Sequence, residues 1–125
     1  MTRDLFVYGT LRPGRSRWPA IADLVDVVGP ARCRGRLVAT AMGWPAATFD
    51  AEGTVHGTLL RPRGPRTAAR LRSVADHIEA AGDLFVRVTV EVDGPDGRQP
   101  AVAYAWNPKR GQPPGEPVPD GRWEP

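Results

Sequence analysis

The chain has 125 residues, of which 41% are hydrophobic, so it can enclose one core but hardly two. No apolar run approaches the length of a membrane span, and residues 1–4 lack the charged, then apolar, then small-residue order of a signal peptide. Cys33 is the single cysteine, which excludes an internal disulfide and fits a reducing compartment. We therefore expect one domain over residues 1–125, in the cytoplasm and without a membrane partner.

The net charge of +3 does not by itself predict a nucleic-acid partner. The 17 lysine and arginine residues are scattered, with no long basic run and no interleaved aromatic pattern. Arg32, Arg34 and Arg36 alternate along an apparent strand, which would place all three on one solvated face. We expect no nucleic-acid binding.

The first predicted element is an apolar strand that ends near Tyr8. Phe6 and Tyr8 lie on one face of this strand and Leu5 and Val7 on the other, so the strand is expected to be interior. Gly9 follows it and can adopt backbone angles closed to other residues, which would turn the N–H groups of the next residues into a cavity. Such donors suit a carboxylate or a developing oxyanion, although an ordinary glycine turn is the simpler interpretation from composition alone.

Further along the chain, Ile21, Leu24 and Val25 recur at helical spacing and predict a short helix that ends at Gly29-Pro30. A second helix is predicted from Thr67 to Glu79, with Leu71, Val74, Ala75 and Ile78 on one face. The remaining predicted strands cover residues 32–40, 46–49, 54–61, 85–92 and 100–106. The turn at residues 93–97 predicts a hairpin between the last two of these strands.

Six short strands with two helical pieces predict an α+β domain whose sheet curls into a partly closed barrel. Residues 107–125 are rich in proline and glycine and by composition resemble a disordered tail. Trp123 is costly to leave exposed, so we expect this tail to wrap back over the domain without regular structure.

Glu79 is the candidate for proton transfer. At 100° per residue it falls at the edge of the apolar helix face, and it closes the helix at the negative end of the dipole. Partial burial and the dipole would both raise its pKa. From its position alone, an exposed last-turn glutamate is the simpler interpretation. Asp76 points further outward and is expected to have a supporting or surface role.

Tyr104 shares a strand face with Val102 and Trp106, so its phenol is expected to point into the core or a cavity. A buried hydroxyl needs a partner, which would be either an ordinary core hydrogen bond or a substrate.

Other chemistries are poorly supported by the sequence. His56 and His77 are not in a metal-ligand spacing with a cysteine or with each other, so no metal site is expected. There is no phosphate loop and no dinucleotide fingerprint, and we expect no cofactor. Cys33 and His56 could form a thiol nucleophile pair, but a lone cysteine flanked by arginines on a strand is usually structural.

The sequence of motifs along the chain resembles that of the gamma-glutamylcyclotransferase-like family, which includes AIG2-like proteins. The most specific parts are Tyr8-Gly9-Thr10-Leu11-Arg12 directly after an apolar strand, and the helix ending in Asp76-His77-Ile78-Glu79. In order along the chain, the other matching pieces are Gly43-Trp44-Pro45-Ala46, Val55-His56-Gly57-Thr58-Leu59, Phe85-Val86-Arg87-Val88, Val102-Ala103-Tyr104 and Asp120-Gly121-Arg122-Trp123.

This resemblance implies a small mixed barrel with a central cavity, and an enzyme that cyclises a gamma-glutamyl amide to 5-oxoproline and releases an amine. It implies Glu79 as general acid and base. Tyr8, Gly9, Thr10, Leu11 and Tyr104 would bind the small-molecule substrate, without metal or cofactor. A non-catalytic binding module with the same cavity is the alternative interpretation.

Three positions depart from the family pattern. Phe85 stands where an aromatic hydroxyl is common, Ile78 replaces an aromatic residue before the glutamate, and Ala80 replaces a following glycine. These changes leave the presumed proton carrier in place and bear on which leaving group fits. The sequence leaves the released amine and the oligomeric state open.

Overall fold

Five strands form a closed barrel, and three further strands form a small second sheet beside it. The computed structural model describes residues 4–50 and 52–124. In chain order the strands are β1 (Leu5–Val7), β2 (Val25–Arg34), β3 (Arg36–Ala39), β4 (Pro45–Thr48), β5 (Thr54–Pro62), β6 (Phe85–Gly94), β7 (Gly97–Trp106) and β8 (Glu116–Pro117). The barrel order is β1-β5-β2-β6-β7, and the second sheet has the order β4-β3-β8. The predicted α+β barrel fold is confirmed, with eight strands in the described residues rather than six.

The barrel wall separates two apolar clusters. Phe6, Leu59 and Val92 belong to the cluster that includes the inward faces of the barrel strands. Leu5 and Val7 belong to the other cluster, which lies between the outer barrel wall and the helix. Every residue of β1 is buried, as expected for a strand with two apolar faces.

The helix α1 (Pro65–Ile78) packs on the outside of the barrel through the buried side chains of Leu71 and Ala75. Proline in the first turn supplies the backbone φ that a helix needs there, and Gly64 precedes it as the N-cap. Glu79 is the C-cap residue, with its N–H donating to the Ala75 carbonyl oxygen at 2.9 Å. The chain then leaves the helix through Ala80, whose φ of 49° lies in the left-handed region. This ending fixes where the Glu79 side chain lies.

The predicted short helix before residue 29 is wrong. Trp18–Ala20 and Ala22–Leu24 form two 3₁₀ turns, and Val25 begins β2 instead of ending a helix. Ile21 and Val25 are buried, so the apolar spacing correctly indicated burial. The run is too short to sustain a helix in isolation, whereas Val25 to Val27 pair with β5.

Two glycines mark the other differences from the predicted strands. Gly29-Pro30 lies inside β2, where the register with β5 shifts between Val27 and Gly29. At Gly35 the predicted strand over residues 32–40 divides into β2 and β3, which belong to different sheets. A Cβ at Gly35 would lie 2.7 Å from the Thr48 carbonyl oxygen, so this crossing requires glycine. The three arginines of this segment are all exposed, as predicted.

The predicted hairpin is confirmed. β6 and β7 pair along their whole length, from Phe85 opposite Trp106 to Gly94 opposite Gly97. The register places Arg87 directly opposite Tyr104. This pairing brings both side chains to the part of the wall that faces α1.

The chain after β7 packs back on the barrel. The Val118 N–H donates to the Leu37 carbonyl oxygen, and the His56 N–H donates to the Gly121 carbonyl oxygen at 2.8 Å. Trp123 is buried. This segment is not wholly irregular, because it contains a 3₁₀ turn at Pro108–Arg110 and the short strand β8, whose residues pair with β3. Within the described residues, no helix is long and apolar enough to cross a membrane.

Candidate active site

The turn after β1 presents unused backbone donors. Arg12 N–H donates to the Gly9 carbonyl oxygen at 3.2 Å, and Arg17 N–H donates to that of Thr10 at 2.9 Å, so the turn is held through its carbonyl groups. Among the described residues, none accepts a hydrogen bond from the N–H groups of Gly9, Thr10 and Leu11. Fixed donors without a protein acceptor suit an anionic ligand group.

The expected conformation of Gly9 is wrong, although glycine is needed there. Gly9 is not among the glycines with positive φ. Its constraint is a close approach, because a Cβ would lie 2.9 Å from both Cδ and Cγ of Pro45. The glycine therefore lets β4 begin directly against the turn.

Glu79 and this turn line the same small cavity, of about 30 Å³. Its walls also include Phe6, Val7, Tyr8, Trp44, Pro45 and Tyr104. Burial raises the pKa of Glu79 to about 7, and the positive charge of Arg17 acts in the opposite direction. A carboxyl group with this pKa holds and releases a proton near neutral pH.

Tyr104 is held by the other carboxylate of the helix end. Its hydroxyl donates to Asp76 Oδ1 at 2.5 Å, and Arg87 Nη1 lies 2.6 Å from Asp76 Oδ2. Burial raises the pKa of Tyr104, and the hydrogen bond to Asp76 raises it further. Asp76 therefore has a defined polar contact with a residue of the cavity wall, which its outward helical angle did not indicate.

The phenol of Tyr8 is used within the protein. Its hydroxyl donates to the Tyr104 carbonyl oxygen at 2.5 Å. Burial raises the pKa of Tyr8 well above its usual value, and the charge of Glu79 adds to the shift. Tyr8 thus ties β1 to β7 at the edge of the cavity, and the phenolic proton is already donated.

Three wall and support residues were missed by the sequence analysis. Trp44 and Pro45 cover the turn, and the Trp44 ring lies 5.5 Å from that of Phe85 and 6.3 Å from that of Trp106. Arg12 donates from Nε to the Gly9 carbonyl oxygen and from Nη2 to that of Trp123, so it ties the turn to the C-terminal segment. Gly43-Trp44-Pro45 and Arg12 were present in the motifs, but nothing local indicated that these segments meet.

Three larger clefts among the described residues do not include Glu79. One of about 360 Å³ runs between α1 and the barrel wall and shares Tyr104 with the small cavity. The second, of about 490 Å³, lies beside β6, and the third, of about 200 Å³, lies beside β2. We place the site in the smaller cavity because the carboxyl group and the unused donors meet there, and volume alone supplies no chemistry.

Cys33 and His56 do not form a nucleophile pair. Cys33 is opposite Val55 and belongs to the barrel interior, whereas His56 is opposite Arg32 on the other face. Burial raises the pKa of Cys33 to about 11, and the charge of Asp93 contributes in the same direction. The thiol is therefore protonated and structural.

The comparisons agree with this fold. The sequence model of the family described as gamma-glutamyl cyclotransferase, AIG2-like, matches residues 5–125, and the chain belongs to this family. No curated protein matches its sequence significantly.

Solved structures share the fold. YkqA from Bacillus subtilis is 25% identical with a TM-score of 0.71, over 98% of this chain and 40% of YkqA, so the chain spans about two fifths of that protein. An AIG2-like protein from Mus musculus is 20% identical with a TM-score of 0.66, over 98% of this chain and 95% of the mouse protein. YtfP from Escherichia coli is 26% identical with a TM-score of 0.59, over 96% and 95% of the two chains.

Proposed function

We propose that the protein is a cofactor-independent cyclotransferase that converts a gamma-glutamyl amide into 5-oxoproline and a free amine. The observation that carries this proposal is the meeting, in one cavity, of a carboxyl group with a pKa of about 7 and a turn with unused N–H groups. Membership of the gamma-glutamyl cyclotransferase, AIG2-like family supports the same type of reaction.

In this reaction the neutral α-amine of the glutamyl group attacks its own γ-carbonyl carbon. A C–N bond forms to close the lactam, the original amide C–N bond breaks, and the amine leaves. The attacking nitrogen loses a proton and the leaving nitrogen gains one, so a single carboxyl group can serve both steps. Glu79 takes the proton from the α-amine and returns it to the leaving nitrogen.

The turn at Gly9, Thr10 and Leu11 holds the glutamyl group through its N–H groups and stabilises negative charge there. Binding in a folded conformation brings the amine and the carbonyl together, and oriented intramolecular attack has effective molarities on the order of 10⁵ M or more. Positioning is therefore a large part of the expected rate enhancement.

Substrate binding requires the cavity to open. Its volume of about 30 Å³ has room for about two water molecules, which is less than a glutamyl group needs. Trp44 and Pro45, at the start of β4, cover the turn, and we expect this part of the wall to move when the substrate binds. Binding is therefore expected to change the fluorescence of Trp44.

The test is to incubate the protein with a panel of gamma-glutamyl amines and to measure 5-oxoproline by mass spectrometry. The Glu79→Gln variant keeps the size and polarity of the side chain but cannot carry the proton, so turnover is expected to fall by roughly 10²-fold or more. Binding of the best substrate, measured by calorimetry, is expected to persist in this variant.

Glu91→Gln is the matched control, because Glu91 is exposed on β6 and lies 3.9 Å from Arg98 outside the cavity. This control is expected to retain full turnover. Wild-type protein that binds gamma-glutamyl compounds without forming 5-oxoproline across the panel would support a binding module and contradict the enzyme. Undiminished turnover in Glu79→Gln would assign proton transfer to another group.

A further inference from the structure

The hydroxyl group of Tyr104 has a fixed direction. Its partner Asp76 forms an ion pair with the guanidinium of Arg87, with Arg87 Nη1 2.6 Å from Asp76 Oδ2. An ionised carboxylate only accepts hydrogen bonds. The single phenolic proton of Tyr104 therefore points to Asp76 Oδ1, at 2.5 Å.

Because its proton is donated to Asp76, Tyr104 Oη can only accept a hydrogen bond from a ligand. Within the described part of the chain, no residue donates a hydrogen bond to this oxygen. Tyr104 lines both the cavity of Glu79 and the larger cleft between α1 and the barrel wall. A phenol with a raised pKa stays protonated, so its direction persists near neutral pH.

The fold accounts for this arrangement. Arg87 and Tyr104 are direct cross-strand partners on β6 and β7. Asp76 and Glu79 are three residues apart at the end of α1 and so project from neighbouring positions of the helix surface. Asp76 meets the arginine and tyrosine pair, while Glu79 faces the cavity.

The cavity consequently has two polar sides. The N–H groups of the turn are donors and suit a carboxylate, whereas the ionised Glu79 is an acceptor and suits an ammonium group. Tyr104 lines both this cavity and the cleft between α1 and the barrel wall, so its Oη is available as a second acceptor. We propose that Asp76 and Arg87 are positioning residues that hold Tyr104 Oη as a hydrogen-bond acceptor, and that this acceptor selects ligands with a free α-ammonium group. The inference rests on the proposed function, since it assumes a gamma-glutamyl ligand.

The test compares two ligands, a gamma-glutamyl amide that the wild type cyclises and the matching glutaryl amide, in which hydrogen replaces the α-amine. Binding of both ligands is measured by calorimetry in the Glu79→Gln background, where the gamma-glutamyl amide is not consumed. Tyr104→Phe in this background is expected to weaken the gamma-glutamyl amide about tenfold, as for one hydrogen bond to a charged group, and to leave the glutaryl amide unchanged.

Asp76→Asn is expected to reproduce this selective loss, because an amide can donate to Tyr104 and turn the phenolic proton into the cavity. In the Tyr104→Phe background, Asp76→Asn is expected to add nothing. In otherwise wild-type protein, Arg87→Gln is expected to raise KM. Arg87→Lys keeps the positive charge, so its KM is expected to stay near that of the wild type. Asp83→Asn is the matched control, since Asp83 pairs with Arg110 at 2.7 Å outside the cavity.

Equal weakening of both ligands, or a full effect of Asp76→Asn without the Tyr104 hydroxyl, would overturn the inference and leave a structural role for these residues. Unchanged discrimination in Tyr104→Phe would overturn it even if Asp76→Asn does not fold. If the wild type binds and cyclises the amide but Tyr104→Phe weakens neither ligand selectively, this inference fails while the proposed function stands. A wild type that neither binds nor cyclises any gamma-glutamyl amide overturns the proposed function and this inference together.

Discussion

The two apolar layers on either side of the barrel wall differ in what they bury. The interior cluster buries apolar side chains together with the thiol of Cys33 and the phenol of Tyr8, whose hydroxyl is paired. The outer layer under α1 contains Tyr104 and borders Glu79, a carboxyl group whose pKa burial raises to about 7. The comparison teaches that the barrel interior supplies stability, whereas the helix end holds a buried carboxyl group at a cost in stability.

The largest expected effect is in the interior. Leu59 is fully buried there, so Leu59→Ala should lower the free energy of unfolding by about 2–5 kcal/mol through lost burial and an unfilled cavity. Urea unfolding measures this change. Val27→Ala is the matched control, because Val27 is 50% exposed on β2 and should change stability little. Similar losses in the two variants would remove the distinction between the layers.

The next effect depends on pH and arises in the outer layer. The folded-state pKa of Glu79 is raised from 4.5 to about 7, so between these values the folded protein binds more protons than the unfolded chain. Stability should therefore fall as pH rises through this window, by an amount on the order of 3 kcal/mol at most, reduced by the partial exposure of Glu79.

Comparing urea unfolding of the wild type with that of Glu79→Gln isolates this contribution, since the variant should lack it. Over the same pH range kcat/KM of the wild type should rise, because the general base must be ionised. A pH-independent difference between the two proteins would mean that burial does not hold the proton on Glu79.

A smaller effect is expected at the contact between β4 and the turn after β1. In Gly9→Ala the new Cβ would meet Pro45 at 2.9 Å, which should cost about 1–3 kcal/mol of stability or displace Pro45. Thermal unfolding and binding of a gamma-glutamyl amide are the measurements. Gly64→Ala serves as the control, since its Cβ would lie 3.6 Å from Thr67 Oγ1 at ordinary contact distance. Unchanged stability and binding in Gly9→Ala would show that the close contact between residue 9 and Pro45 does not require glycine.

The smallest effect is a gain. Ala80 has a φ of 49°, a conformation that costs an L-residue energy and glycine almost none. Ala80→Gly should therefore stabilise the protein by about 0.5–1 kcal/mol, after the greater freedom of glycine in the unfolded chain is subtracted. Ala81→Gly, at a neighbour without positive φ, should be slightly destabilising instead. A loss of stability in Ala80→Gly would contradict the claim that the backbone of Ala80 is strained.

Elements with local signals could be predicted well. The apolar face of α1 and the Asp93 to Gly97 turn are encoded within a few residues, and both elements appear with ends shifted by a few residues. The division at Gly35 could not be predicted, because it depends on a contact with Thr48 in another strand. The strand at Val25 likewise depends on pairing with β5, which overrides an apparently helical spacing.

Local signals predicted only part of the candidate site. The resemblance and the helical angle both singled out Glu79, and Glu79 does line the cavity of the predicted turn. The link from Arg87 through Asp76 to Tyr104 joins three separate elements, so no local pattern contains it. The contact of Trp44 and Pro45 with the turn is also set by packing of the second sheet against the barrel. Their roles in catalysis and binding remain predictions.

The central claim is that burial prepares Glu79 to exchange a proton near neutral pH. A direct measurement is an NMR titration of the side-chain carboxyl carbons in protein labelled at glutamate, with Glu79 assigned by its absence in Glu79→Gln. The account predicts that the Glu79 resonance titrates with a pKa of about 7. A Glu79 resonance that titrates near the ordinary value of 4.5 would contradict it.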